Sequence, residues 1–387
     1  MISKYATEEF LQRKLSDARK VKLFTREALW RKYKKFDHAI KPIVRSYTHQ
    51  LACLLLGLKY PQYLFLLDMG LGKSKLSLDI IRNRRRAKQV KRTLVLVPYS
   101  SNVDSWLEQC ETHSPELKAE GLVGDKEERR QKMFGKSDIL ISTYAGIYSF
   151  TTKKIQKKKK RKLVPDDAAC KAVFKQFDLI IYDETTAFRN HTSLTFKICR
   201  RVMKHIHYRY GLTGTPFGRN VQHLWAQFYA VDAGQTLGKT LGMFRSAFFT
   251  AKENYWSGGD DWSFKRSMSG QLHRVLSHRS IRYEEAECLD VPKKISSVRP
   301  VVFTEDVWQH YEKLVKKNQE ARGNYQQLKN AFMRMRQIAS GFLVIKDPAT
   351  EDRIEVPFKH NPKMGALADL LNEIPKNRKI EIGRAHV

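Results

Sequence analysis

Cysteine is scarce. The five present, Cys53, Cys110, Cys170, Cys199 and Cys288, stand at least 29 residues apart and form no CxxC pair, which argues against a zinc ribbon and against a disulfide framework. Long apolar runs are missing as well. No stretch approaches the 18 residues that would span a membrane, and "MISKYATEEF" runs into charge where a secretion signal would be apolar. A soluble protein of a reducing cytoplasm is expected, with no membrane partner. No internal repeat is found, so solenoid and propeller architectures drop out. Acidic residues are few beside basic ones: 40 Asp+Glu face 72 Lys+Arg, a formal charge of +32. A surplus of this size in a globular chain points to a polyanionic partner, nucleic acid first.

What is present is a core and an alternating pattern. With 387 residues, 42% of them hydrophobic, the chain can bury at least one substantial core. Residues 1–40 read as a charged helical extension, with apolar residues at helical spacing in "FTREALWRKYKKF". From about residue 45, short apolar runs, "YLFLL", "TLVLV", "DILIS", "DLIIY" and "RYGLT", alternate with helix-like segments. Such runs predict an α/β fold, a parallel sheet covered by helices on both faces. After Pro216 the strands are expected to stop. Residues 220–285 read as helices broken by the loop "ENYWSGGDDW", and "ISSVRPVVF" is one further strand candidate before the helical run that starts at "EDVWQHYEKL". Two dense basic clusters, "RNRRRAKQVKR" and "KKIQKKKKRK", should be solvated loops because like charges repel; contact with phosphates is one use open to them.

Three short pieces carry chemistry. In "LFLLDMGLGKSKLSLDII", Gly70-Leu71-Gly72-Lys73-Ser74 lies between a predicted strand and a predicted helix, where a phosphate loop belongs. Glycines let backbone N–H groups wrap phosphates, and the helix start adds partial positive charge. Lys73 would neutralise the β- and γ-phosphates, and the Ser74 hydroxyl would coordinate Mg²⁺. The full pattern asks for Gly where Leu67 stands. The second piece, "FDLIIYDETTAFRN", ends an apolar run in Asp183-Glu184, two carboxylates at the strand edge where doubly wound sheets bind ligands. Asp183 would hold Mg²⁺ through water and Glu184 would polarise the attacking water. The third, "YGLTGTPFGRN", ends a strand in Leu212-Thr213-Gly214-Thr215-Pro216, whose hydroxyls could reach the acidic pair and a polynucleotide.

In this order and at these separations the three pieces resemble helicase superfamily two, and within it the Swi/Snf-type DNA translocases. The family's first motif usually reads DEMGLGKT, and "LDMGLGKS" is similar to it, including the missing first glycine. Its second reads DEAHxxKN or similar; "DETTAFRN" keeps Asp183, Glu184 and Asn190, with Arg189 for the usual Lys and Thr185-Thr186 for the usual Ala-His or Ala-Gly. LTGTP is complete at residues 212–216. "YTHQLACLLLGL" is similar to the adenine-reading segment, with Gln50 as the contact. "LVLVPYSSNVDSWLEQC" resembles the segment that touches DNA backbone, through Ser100 and Ser101 and ending in the family's Trp, here Trp106. "ISTYAGI" resembles the next, through Thr143 and Tyr144. Later segments from "NVQHLWAQFYAVDAG" to "MRMRQIASGFL" follow the order of the family's helical protrusion and its lead toward a second lobe. The resemblance spans about residues 45–370.

The resemblance implies an ATP-dependent translocase on double-stranded DNA that uses ATP and Mg²⁺. It implies a RecA-like ATP-binding lobe over 41–235, a helical protrusion over 236–300 and a helical bridge over 301–380, with 381–387 a cloning scar. Gln50, Gly70, Leu71, Gly72, Lys73, Ser74 and Lys75 would bind nucleotide, Ser74 and Asp183 would hold Mg²⁺, and Lys73, Asp183 and Glu184 would carry catalysis. Ser100, Ser101, Trp106, Thr143, Tyr144, Thr213, Gly214 and Thr215 would touch DNA or couple it to ATP. No Gln-x-x-Gly-Arg-x-x-Arg segment supplies the arginines of a second RecA-like lobe. The chain therefore reads as the front half of a longer monomeric protein, weak or inactive alone. Its compact layout suits a bacterial or viral source, with a nuclear location if the source is eukaryotic. The alternatives are a strand-separating DNA or RNA helicase, the motor subunit of a restriction system, or a non-catalytic nucleic-acid-binding module.

Overall fold

A computed structural model of the chain describes residues 16–36, 38–157, 160–216, 220–254, 259–290, 297–320, 325–346, 353–359, 361–378 and 380. Residues 1–15 and 381–387, parts of the expected extension and of the expected scar, lie outside the described set. The chain divides into two compact units, residues 1–291 and 292–387.

The first unit is built on one parallel sheet. Helices α1 (Asp17–Lys22), α2 (Arg26–Lys34) and α3 (Thr48–Lys59) precede β1 (Gln62–Leu67), which leads into α4 (Lys73–Arg86). Then follow β2 (Thr93–Val97), α5 (Ser100–His113), β3 (Ala119–Gly121), α6 (Lys126–Phe134) and β4 (Ile139–Thr143). A hairpin of strands Thr152–Lys157 and Lys160–Pro165 leads to α7 (Asp167–Phe174), β5 (Leu179–Asp183), α8 (Leu194–Val202), β6 (Tyr208–Thr213), α9 (His223–Asp232) and α10 (Leu241–Phe248). A second hairpin, Phe249–Asn254 with Gly259–Phe264, precedes α11 (Ser269–Leu276) and β7 (Ser280–Tyr283). The strands lie in the order β7-β1-β6-β5-β2-β4-β3, every pair parallel.

The alternation of side chains along each strand explains why the runs are apolar throughout. Leu64, Leu66, Leu94, Leu96, Leu140, Ile180 and Tyr182 face one hydrophobic layer with α6 to α11. Tyr63, Phe65, Leu67, Val95, Val97, Ile141, Ile181 and Leu212 face the other, with α2 to α5. A strand buried on both sides has no solvent face to place polar residues on. Fully burying each Leu, Ile or Phe contributes about 1.5–3 kcal/mol. The N-terminal helices belong to the second layer: Leu29 and Tyr33 are buried, and the Tyr33 hydroxyl donates to Asn83 Oδ1 of α4 at 2.9 Å.

Several expectations are corrected. Helices α9, α10 and α11 form within 220–285, but strands do not stop after Pro216: the paired strands Phe249–Asn254 and Gly259–Phe264 stand where the loop "ENYWSGGDDW" was expected to break the helices, and β7 closes the sheet beside β1. "ISSVRPVVF" forms no strand over its described residues 297–303. The cluster "RNRRRAKQVKR" is not a solvated loop. Its first arginines continue α4, and Arg82, Arg84 and Arg92 are all buried. Arg92 donates to Met133 O, Lys132 O and Ser137 O at 2.8, 2.8 and 3.1 Å, satisfying carbonyls left over where α6 ends. Arg84 donates to Gly57 O at 2.7 Å, Tyr210 Oη at 2.8 Å and Gln89 Oε1 at 2.7 Å, tying α3, α4 and β6 together. The lysine cluster "KKIQKKKKRK" is likewise no loop over its described residues, which pair as strands Thr152–Lys157 and Lys160–Pro165.

The second unit holds α12 (Glu305–Glu320) and α13 (Tyr325–Ala339), which pack on each other, a hairpin of Phe342–Lys346 with Arg353–Pro357, and α14 (Pro362–Glu373). Asn361 Oδ1 caps α14 by accepting from Lys363 N and Met364 N at 3.1 and 3.3 Å.

The arginine network yields a stability test. Arg84→Leu leaves buried acceptors without donors and should cost roughly 2–4 kcal/mol, whereas the neighbouring, exposed Arg86→Leu should stay within about 0.5 kcal/mol. Urea unfolding of the two variants measures the difference.

Candidate active site at the carboxyl edge of the sheet

The strand order decides what meets. β1 and β5 are separated only by β6, so the loops after all three open on one edge. The chain leaves β1 and re-enters the sheet three places away at β2, and such a switch in strand order leaves a crevice at the carboxyl ends.

After Leu67 the chain turns through Asp68–Gly72 into α4. Gly70 and Gly72 have φ of 80° and 75°, the left-handed region that a side chain disfavours. A Cβ on Gly72 would also lie 2.3 Å from Gln50 Nε2. Gly72 caps α4 with no side-chain hydrogen bond, and the first turn carries no acidic residue. The first N–H groups of a helix have no partner within it, so this positive end is open to an external anion. Lys73 Nζ donates to Leu67 O at 3.0 Å and Asp68 O at 3.1 Å. Burial holds its pKa below the usual lysine range, while the charges of Asp183, Glu184 and Asp68 act in the other direction. Ser74 is partly exposed in the same turn. Lys75 is placed elsewhere. Its buried ammonium sits between Asp79 Oδ2 at 2.7 Å and Ser46 Oγ at 2.8 Å, fixing α4 to the segment that precedes α3.

Leu71 O ties the loop to α3. It accepts from Gln50 Nε2 at 3.2 Å and lies 3.1 Å from His49 Nε2. Gln50 Oε1 accepts from Tyr47 N at 3.0 Å, so both ends of this amide are engaged inside the protein. Beside the start of α3 opens a cavity of about 500 Å³, lined by Trp30, Ile43, Arg45, Ser46 and Leu51 among others.

β5 delivers the acidic pair. Asp183 Oδ2 accepts from Trp106 Nε1 at 2.8 Å. Burial raises the Asp183 carboxyl above the usual range, the Trp106 hydrogen bond and the Lys73 charge pull it down, and the Glu184 charge adds to the rise. The Tyr144 hydroxyl donates to Asp183 O at 2.9 Å. Trp106 and Tyr144 are only 2% and 5% exposed, and their polar atoms turn toward the acidic strand end. Glu184 sits at φ 53°, a position costly for a residue with a side chain. Its Oε1 accepts from Thr213 Oγ1 at 2.6 Å and Thr186 Oγ1 at 2.7 Å.

The β6 turn leans on both neighbours. A Cβ on Gly214 would stand 3.2 Å from Leu67 O, so the turn approaches the phosphate loop closely. Thr215 is exposed, its N–H donating to Thr213 Oγ1 at 3.3 Å and its carbonyl accepting from Arg189 Nη2 at 3.2 Å. Ser100 and Ser101 are exposed in the first turn of α5. Thr143 is partly exposed at the end of β4, its Oγ1 accepting from Gly146 N at 2.9 Å. All four stand at the same edge as the Asp68–Gly72 loop.

Two residues enter that sequence reasoning did not mark. Gln227 of α9, fully buried, accepts from Thr185 Oγ1 at 2.9 Å and donates to Pro216 O at 2.5 Å and His223 O at 3.0 Å. Arg282 of β7 donates to Gly214 O at 3.0 Å and Asp68 Oδ1 at 3.3 Å, and Asp68 Oδ2 accepts from Glu285 N at 3.1 Å. An amide inside the apolar run "HLWAQFYAV" was the available signal for Gln227; nothing local marks Arg282. Among the described residues no group of three or more His, Cys, Asp or Glu gathers around a point that could hold a metal ion. One hydroxyl and one carboxylate suit Mg²⁺, which is usually held by one or two carboxylates with water and substrate phosphates as the remaining ligands.

Comparison with known proteins follows the same lines. The SNF2-related domain family matches residues 47–346. An ISWI chromatin-remodeling complex ATPase of Arabidopsis thaliana is 25% identical over 280 residues, 70% of this chain and 23% of that protein. Protein p41 of Acyrthosiphon pisum secondary endosymbiont phage 1 is 24% identical over 344 residues, 85% of this chain and 69% of its own. The Sulfolobus solfataricus SWI2/SNF2 ATPase core solved in complex with dsDNA is similar with a TM-score of 0.49 and 18% identity, covering 86% of this chain and 65% of that one. The chain thus spans under a quarter of the plant ATPase that it matches. With a match over most of its length, the chain belongs to the SNF2-related domain family.

Proposed function

We propose that this chain is the ATP-binding motor lobe of a translocase that moves along double-stranded DNA, with ATP as substrate and Mg²⁺ as its companion ion. The observation that carries the reading is the hydrogen bond from Thr213 to Glu184, which joins the acidic pair to a turn that also abuts the phosphate loop. A structural glycine turn would need neither the acidic pair nor that link.

In this reading the first turn of α4 and Lys73 cradle the phosphates, the ammonium leaving the carbonyls of Leu67 and Asp68 for a stronger anion. Ser74 and Asp183 would hold Mg²⁺, which supplies Lewis acidity toward the terminal phosphoryl group. Trp106 and Tyr144 are positioning residues, one orienting the Asp183 carboxylate and the other the backbone behind it. Glu184, held by two threonine hydroxyls, orients the attacking water. The nucleobase lies toward the Trp30 cavity, with Gln50 and His49 setting the distance from α3 to the loop. Ser100, Ser101, Thr143 and Thr215 contact DNA phosphates, which gives sequence tolerance and strong salt dependence. We place the arginines that steady the transferring phosphoryl group on a second RecA-like lobe of the same protein, so turnover by these residues alone is expected to be slow.

Two measurements test the reading. Lys73→Ala should weaken binding of a fluorescent ATP analogue with Mg²⁺ by at least about tenfold, and turnover, however slow, should rise more with duplex DNA than with single-stranded DNA or RNA. Equal stimulation by RNA would replace the translocase with an RNA helicase, and unchanged nucleotide binding would remove the site. Trp106→Phe should keep the fold while raising the Mg²⁺ concentration for half-maximal turnover by about 10-fold or more, the range typical of residues that orient a metal ligand. A Mg²⁺ titration equal to that of the parent protein would show that the indole serves packing alone.

A further inference from the structure

We propose that the paired strands Thr152–Lys157 and Lys160–Pro165 form a built-in arm that lies in a groove of duplex DNA and holds the motor on its track by contacts to both phosphate backbones. The inference rests on the duplex reading above and extends it to a surface that the nucleotide site does not use.

Eight of the ten residues from Lys153 to Lys162 are basic, and none between Thr152 and Pro165 is acidic. In a flexible loop such a run relieves its repulsion by spreading out. Here it is paired into an antiparallel ribbon with a register that runs from Thr152↔Pro165 to Lys157↔Lys160. Lys157 is paired with Lys160 across the strands, and like charges directly opposite one another destabilise a ribbon. A polyanion supplies the missing term by neutralising the lysines and releasing its counterions.

The ribbon is firmly mounted. Thr151, fully buried, donates to Ile147 O at 2.7 Å, its carbonyl accepts from Asp166 N at 2.9 Å, and Thr152 Oγ1 donates to Tyr148 O at 2.8 Å. Strand Lys160–Pro165 packs on α8. The mount begins five residues after Thr143 ends β4, so the arm leaves the sheet at the edge where Ser100, Ser101 and Thr215 are exposed. Six residues per strand reach about 20 Å, enough to follow a duplex away from those contacts.

The distribution of charge selects the partner. Lys154 shares one face of the ribbon with Leu163, while Lys153 and Lys162 share the other with Ile155. Lys154 and Lys162 are exposed, and so are Ile155 and Leu163 at 37% and 41%. Lys153 lies 3.7 Å from Asp166 at the base. A two-stranded ribbon is the width that the major groove of B-DNA admits, and cations on both faces match a groove walled by phosphates on both sides. No aromatic residue stands between Thr152 and Pro165, so the stacking platform of single-strand binders is absent. The major groove of A-form RNA is too narrow for side chains to enter.

The test is fluorescence anisotropy of the full chain with a labelled 20-base-pair duplex of random sequence, a matching single strand and an RNA duplex, across a potassium chloride series. Replacing all eight basic residues from Lys153 to Lys162 with glutamine should weaken duplex binding by about tenfold or more and flatten the slope of log affinity against log salt by 2 or more. The pair Lys154→Glu and Lys162→Glu reverses one charge on each face, should weaken duplex binding in the same direction, and guards against loss of the ribbon itself. ATP-analogue binding by both variants should stay unchanged, and near-unchanged thermal midpoints would exclude misfolding. Duplex affinity and salt slope equal to the parent protein would overturn the arm while leaving the motor reading intact. Equal losses on single strands or RNA would overturn the groove assignment. Failure of the parent protein to bind any duplex would remove both readings together.

Discussion

Asp183 is a carboxylate in a place that disfavours its charge. Burial alone would push its proton on, and what opposes this is the indole N–H of Trp106 at 2.8 Å and the ammonium of Lys73 across the cleft. Lys73 is in the mirrored situation: burial draws its proton off, and the acidic residues retain it. At Asp183 the Trp106 indole is the main counterweight to burial, while the Glu184 charge adds to the rise. The two strand ends come together because β1 and β5 lie within one strand of each other in the parallel sheet. Much else at the edge serves to keep the two ends in register, from Arg282 spanning Asp68 and Gly214 to Tyr144 under the Asp183 carbonyl.

The same physics divides the protein's large positive charge into two populations. Arg84, Arg92 and Arg209 are buried and spend their guanidinium donors largely on carbonyls, Arg209 on those of Val231 and Ile206 at 2.7 Å each. A planar fork with five donors can satisfy several acceptors at once, so these arginines work as internal fasteners. The lysines of the 152–165 ribbon are compact, strongly hydrated charges on flexible stems, suited to solvent and to phosphate rather than to the interior. Net charge alone does not separate the groups. The choice of Arg at positions 84 and 92, and of Lys through most of the hairpin, does so in residue chemistry.

That distinction explains what was legible in the sequence and what was not. The five central strands were readable because a strand buried on both faces must be apolar along its length. β3, with the sequence AEG, and β7, with SIRY, carry no such run and owe their existence to neighbours already in place. The strands Thr152–Lys157 and Lys160–Pro165 are rich in charge and look like a loop by composition, while in Phe249–Asn254 and Gly259–Phe264 only Phe249, Trp262 and Phe264 turn toward the core, too few to read as a strand pattern. "ISSVRPVVF" shows the opposite error: β-branched residues without a partner stay out of the sheet, and Pro300 lacks an N–H to give one. At the site, the phosphate loop and acidic pair are local patterns whose spacing is set by one turn of chain. Trp106, Gln227, Arg282 and Asp68 act through contacts across 77, 42, 68 and 214 positions. No local pattern encodes such a partner.

The Thr185–Gln227 contact is the clearest instance of such long-range wiring, and its energetics indicate its role. A buried hydroxyl and a buried amide are each costly when unpaired, at about 1–3 kcal/mol, yet both pair here, with Pro216 O and His223 O completing the amide's set. An apolar pair of similar shape would hold the same elements together with less risk. What the polar version adds is direction. Thr185 follows the acidic pair, Pro216 closes the turn that carries Thr213 and Thr215, and His223 begins α9. One side chain therefore measures the relative position of three segments. A shift of the β6 turn by the length of a hydrogen bond would break one of Gln227's contacts and disturb the backbone beside Glu184. The contact therefore ties the position of the exposed turn to that of the backbone beside Glu184.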